Sequence, residues 1–145
     1  MEKKAIEYSL AAKKKDFETV KVTSSYDAVK FARKFYHDDI LIYESSFIVL
    51  INHAGNVIGY AKISQGGVCN TLVDVRLIAK YAIDTLATSV IFIHNHPSGN
   101  LHPSNEDIKI SERIKSCLSL LNIALWDSII ISDKGYCSMS DEGLI

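Results

Sequence analysis

Hydrophobic positions recur along the chain with two different periods, and the changes of period outline the elements. Ile6-Glu7-Tyr8-Ser9-Leu10 alternates apolar and polar residues, which predicts a short strand, and Lys13 to Asp16 reads as a turn. Ser24 or Ser25 can cap a helix to about Tyr36 with Ala28, Val29, Ala32, Phe35 and Tyr36 on its inner face. Phe47 to Asn52 is an apolar run suited to a central strand. His53-Ala54-Gly55-Asn56 supplies turn chemistry, and Val57 to Ile63 completes a hairpin. Gly66-Gly67 breaks the pattern. Helical spacing then returns over Leu72 to Leu86, with Val73, Leu77, Ile78, Tyr81 and Ala82 as inner positions. Val90 to Ile93 is a buried strand that delivers His94. The segment from Asn95 to Pro103 holds both prolines and Gly99 and reads as loop. Ser104 reads as the N-cap of a helix to about Leu121, with Asp107 at the third helical position, as in a capping box. Leu125 to Ser132, the turn Asp133-Lys134-Gly135 and Tyr136 to Met139 form a last hairpin. The pattern predicts one domain of the α+β type, a mixed sheet flanked by helices, with no repeat and no linker.

Composition adds constraints. A chain of 145 residues with 48% hydrophobic and 23% charged residues can bury one core without disulfides. Sixteen basic and 17 acidic residues leave a formal net charge of -1, so no electrostatic footprint for nucleic acid is present and direct binding to it is not expected. The run Lys13-Lys14-Lys15 is too short to change this and reads as a solvated turn. Cys69, Cys117 and Cys137 are odd in number and lack CxxC spacing, which fits reduced thiols rather than a disulfide framework. None lies near the histidine cluster, which argues against a Cys-His nucleophile pair, and Cys117 falls in an apolar helical pattern and is expected to pack. No segment reaches the roughly 18 apolar residues of a membrane helix. Met1-Glu2-Lys3-Lys4 has no apolar signal core behind it, so a cytoplasmic location is expected.

The chemistry concentrates in His94-Asn95-His96-Pro97-Ser98-Gly99, followed by Ser104 and Asp107. Two imidazoles, a hydroxyl and a carboxylate fall within fourteen residues. His94 and His96 are two apart, so at a strand end they point to the same side. A carboxylate in the first turn of the next helix can swing back to complete a two-His, one-Asp zinc shell that leaves a position for water. Such water needs a general base and a donor for the developing oxyanion. Ser104 can be that donor, while the base must come from elsewhere. Histidines alone would read as core or loop side chains satisfied by carbonyls; Ser104 and Asp107 at these spacings point to a metal. Helix capping by Ser104 and favourable charge at a helix N-terminus for Asp107 are compatible with the same placement. His37, His53 and His102 read as solvent-facing, Trp126 as core or interface, and Ser98 lacks the surroundings of a nucleophile elbow.

His94-x-His96-Pro97, then Ser104 and Asp107, resembles the JAMM signature of the JAB/MPN metallopeptidases. His96-Pro97-Ser98-Gly99-Asn100, Pro103-Ser104 and Asp107 resemble the RadC-like branch still more closely, as does the ending Asp133-Lys134-Gly135-Tyr136, Ser138 and Glu142-Gly143-Leu144. The resemblance covers about Ser24 to Ile145. It implies a cytidine-deaminase-like JAB/MPN architecture over residues 1–145, with residues 1–23 as an extension strand packed on the domain. It implies one Zn2+ held by His94, His96 and Asp107, and a hydrolase cleaving a peptide or isopeptide bond in a peptide or protein substrate. The family places its catalytic Glu upstream of the hairpin, and Glu44 matches that position; from the residues alone Glu44 is equally a solvated strand flank. The chain departs from many relatives at Ala61-Lys62, at Asp74 and at Ser128, none of which is an expected metal ligand. Residues 1–23 are too short for the helix-hairpin-helix segment that opens longer relatives. A DNA-repair-associated accessory domain with weak or no catalysis is the alternative, followed by a catalytically idle scaffold, and oligomeric state stays open.

Overall fold

The computed structural model describes residues 2–66 and 73–145. Its elements are helix α1 (Ser25–Ala32), a single 3-10 turn (Asp38–Leu41), strands β1 (Ser45–Ile51) and β2 (Val57–Gln65), helix α2 (Val75–Asp84), strand β3 (Ser89–Asn95), helix α3 (Asn105–Ser119) and strands β4 (Ala124–Ile131) and β5 (Tyr136–Ser138). They build the mixed α+β fold that the pattern predicts. The sheet has the order β2-β1-β3-β4-β5. Only β3 and β4 run parallel, because α3 carries the chain back across the sheet between them; the other neighbours are antiparallel.

Every residue of β1 and β3 is buried, so each contributes to two cores. On one face Phe47, Val49, Ile51, Ile91 and Ile93 meet α1 and the aromatic rings that follow it. On the other, Ile48, Leu50, Val90 and Phe92 meet α2 and α3. Continuous apolar runs such as Phe47 to Leu50 are what a strand covered on both faces requires. Cys117 packs at the margin of this second core. Among the described residues, no helix is long and apolar enough to cross a membrane.

The structure corrects four expectations. Residues 6–10 form no strand: Ile6 is 70% and Tyr8 83% exposed. Alternation makes a strand only where a partner edge accepts it, and the first bridge to the sheet is Lys21 to Asn56. Helix α1 ends at Ala32, four residues early. The amides of Lys34 and Phe35 reach back only three residues, to Phe31 and Ala32. This tightened turn lets adjacent Phe35 and Tyr36 both enter the core, where Phe35 stacks on Tyr60. Helix α2 is capped by Asp74 and its buried stripe is Val75, Ile78 and Ala82, which leaves Leu77 39% exposed. Finally, Asn95 is the last residue of β3 rather than loop. Gly67, Cys69 and the expected helix start at Leu72 lie outside the described residues.

Candidate metal centre

Strand β3 sets the direction of both histidines. Val90 and Phe92 face the α2/α3 side of the sheet, and period-2 alternation carries His94 and then His96 to that same side. His96 lies just beyond the strand, where its amide still donates to Ile131 O of β4 at 3.1 Å. The loop then turns back on itself through Gly99, whose φ of +83° suits glycine and whose amide donates to His96 O. The turn brings Asn100 O within 2.6 Å of His96 Nδ1. A carbonyl only accepts, so Nδ1 carries the proton and Nε2 is the nitrogen presented to the site.

Helix α3 supplies the carboxylate. Ser104 caps it: its Oγ accepts from the Asp107 amide at 3.1 Å, and Asp107 Oδ2 accepts from the Ser104 amide at 2.8 Å. This reciprocal box is the predicted one, with Asp in the place Glu often takes. It fixes the carboxylate against both rings, with Oδ1 3.1 Å from His94 Nε2 and Oδ2 3.3 Å from His96 Nε2. Burial alone would raise the carboxyl of Asp107, but the two imidazoles outweigh it and hold the group well below the usual carboxylate range. The Asp107 bond in turn raises His96 against the opposing effect of burial, with smaller contributions from Asn100 O and the charge of Glu44.

One ligand atom from each of His94, His96 and Asp107 can be chosen so that all lie within 4.8 Å of one another. Two imidazoles and a carboxylate, one imidazole buried and the other two groups half-buried, are a donor set that can hold zinc. His94 Nδ1 is buried without a partner among the described residues. The nitrogen turned to Asp107 is Nε2, so the fit to a metal rests on the donor set and its spacing.

Glu44 stands directly before β1 and is half-buried. Strands β1 and β3 pair Ser46 with His94. The register ends at that pair, and Glu44 lies two residues before Ser46 in the chain. Its charge acts on His96 from there. His37, His53 and His102 are exposed, as expected, and lie outside this group.

A family model for the RadC-like JAB domain matches residues 22–144. The chain belongs to the RadC-like JAB domain family. Its relatives in this family include UPF0758 proteins of Flavobacterium johnsoniae, 38% identical over 124 residues, and of Porphyromonas gingivalis, 40% identical over 125. These alignments cover 86% of this chain but 53% and 54% of the relatives. A third, from Staphylococcus haemolyticus, is 36% identical over 130 residues, 89% of this chain and 56% of the relative. The chain thus spans about half the length of the curated relatives it matches.

Within this RadC-like JAB domain, sequence reasoning missed Asn95. Its side chain is fully buried on the opposite face from the histidines and fully bonded: Oδ1 accepts from the Ser45 amide at 2.8 Å, and Nδ2 donates to Ile40 O at 2.8 Å and Tyr43 O at 3.0 Å. The signal was available in the alternation. A residue between two ligands that share a face must point to the other face, here into a core, and a buried amide there must find partners.

Proposed function

We propose that this domain is a zinc-dependent hydrolase that cleaves a peptide or isopeptide bond. The observation that carries the reading is the convergence of His94, His96 and Asp107, and the charge of Glu44, just ahead of β1, acting on His96 supports it. Bound by the three side chains, zinc supplies a Lewis acid that lowers the pKa of water to about 7. Glu44 is the general base: its carboxylate takes a proton as the water oxygen bonds to the substrate carbonyl carbon. It returns that proton to the amide nitrogen as the C–N bond breaks, so an amine leaves. Ser104 Oγ already accepts the Asp107 amide, which leaves its hydroxyl hydrogen to donate to the developing oxyanion.

The test is Glu44→Gln, which keeps the shape of the side chain and removes the base. It should bind zinc as the unaltered protein does and lose about 10²–10⁴-fold in turnover of labelled peptides and lysine-linked isopeptides. Turnover that survives either this substitution or a chelator would refute the assignment.

A further inference from the structure

We propose that Asn95 is a positioning residue that sets Glu44 against the histidine pair. The proposal rests on the reading of Glu44 as the general base. Its ground is the set of atoms the Asn95 amide binds. Tyr43 O belongs to the peptide unit on the N-terminal side of the Glu44 Cα, and the Ser45 amide to the unit on the C-terminal side. One side chain therefore anchors both peptide units that flank Glu44. A further bond to Ile40 O ties in the 3-10 turn that leads to it. Glu44 O accepts from the Gly66 amide at 2.9 Å, which holds the second of these units from the β2 side.

Asn95 also lies between His94 and His96 in the chain. Any shift of the histidine backbone is transmitted through Asn95 to Glu44, so base and ligands move as one body. The requirement is stringent: one acceptor and two donors, all buried. Asn meets it in one amide orientation only, because both carbonyls must face Nδ2. Asp can keep the Ser45 bond but cannot give both carbonyls a hydrogen. Ala leaves all three backbone groups without a partner.

The experiment compares Asn95→Ala, Asn95→Asp, Glu44→Gln and the double variant Asn95→Asp/Glu44→Gln, using zinc alone as the metal probe. Two measurements need no turnover. Zinc titration should give one equivalent with affinity within about threefold of the unaltered protein, because no ligand is touched. Amide hydrogen exchange should accelerate about tenfold or more at Ser45 in Asn95→Ala while the interior of β1 stays protected. In turnover, kcat should fall about 10²-fold at a nearly constant KM, the size expected for a base displaced by about 1 Å. The double variant should be no slower than Glu44→Gln, since a misplaced base cannot matter once the base is gone. Where Asn95→Ala does not fold, the isosteric Asn95→Asp carries the zinc and kinetic arms.

Loss of zinc from a folded Asn95 variant, unchanged Ser45 exchange in Asn95→Ala, or losses that multiply in the double variant would each overturn the proposal. Absence of zinc-dependent turnover in the unaltered protein would sink the hydrolase reading instead. The exchange and titration arms would then still decide whether Asn95 anchors Glu44.

Discussion

Asp107→Asn exchanges a charge for an amide of the same shape, and its consequences run in opposite directions with pH depending on whether zinc is present. Without metal, the side chain is only 16% exposed and lies against both imidazoles. The amide oxygen can still accept the Ser104 amide, so the cap largely survives. The charge-assisted contact to a protonated His96 does not, at about 1.5–3 kcal/mol for such bonds, nor does the charge at the helix N-terminus, at about 0.3–1 kcal/mol. The remaining imidazole–amide contact offsets part of this. The expected cost in EDTA at pH 5.5 is about 2 kcal/mol, or about 4–8 °C for a chain of this size. The sign follows from the two shifts. His96 is raised in the fold, so its contribution is present below the unfolded value near 6.5 and lost as pH rises through the folded one. Asp107 is lowered, so its contribution is present above about 3.9 and lost as pH falls towards its folded value. The cost of the substitution should therefore peak between about pH 4 and 6.5 and shrink by pH 8.5. The proposed zinc binding should behave conversely, because it needs deprotonated imidazoles. At one hundred times its dissociation constant zinc adds about 2.7 kcal/mol, fully expressed near pH 8 and fading towards pH 5.5, and Asp107→Asn should lose most of it. Calorimetric unfolding of both proteins at three pH values, in EDTA and in zinc, reads all of this. A cost that grows with pH in EDTA, or an equal zinc shift in both proteins, would refute the assignment of Asp107.

Ser104 has two roles that separate on substitution. Ser104→Ala should cost about 0.5–2 kcal/mol in chemical denaturation and Ser104→Gly only a few tenths, since Gly is tolerated at an N-cap. Both should lose about 10²–10³-fold in turnover if the hydroxyl stabilises the oxyanion, and a fully active Gly variant would remove that role. Asp127 is buried, and burial, aided by Asp141, raises its carboxyl despite three donors: Ser138 Oγ and the amides of Ser128 and Ser140. A raised carboxyl stabilises the fold below its unfolded value near 3.9 and loses that contribution as pH rises through the folded value. Both amides bind Oδ1, which Asn retains, and the Ser138 hydroxyl that donates to Oδ2 can instead accept a hydrogen from Nδ2. Asp127→Asn should thus gain stability relative to the unaltered protein as pH rises from about 4 to 7, and a denaturation series showing a relative loss over that range would contradict the balance of forces.

What could be read ahead of the structure divides along the range of the interactions. His94, His96, Ser104 and Asp107 were legible because strand alternation and the capping box act over two and three residues, and both geometries are local. Glu44 was not, because its place depends on how β1 meets β3, a pairing that joins positions 48 residues apart at Ser46 and His94. Only the family resemblance singled it out among 17 acidic residues. Asn95 was hidden by its neighbours: Pro97, Ser98 and Gly99 mark a loop, and the strand ends one residue later than they suggest. The alternation over residues 6–10 misled for the opposite reason. Period two is a property of the chain, whereas a strand is a property of a pair, and among the described residues nothing pairs with that segment.

The same division explains why so small a site can hold its geometry. Its parts come from the adjoining ends of β1 and β3, whose seven residues each are buried on both faces, and from the helix that closes the β3–β4 crossover. A shift of Ser46 relative to His94 requires β1 to slide along β3. A one-residue slide would turn Ile48 and Leu50 away from α2 and α3 and set them against the α1 face. The core thus enforces the register, and the register sets the start of β1, which the proposed base directly precedes, against the strand end that carries the proposed ligands. Asn95 acts at the point where the ladder ends and that enforcement would otherwise stop.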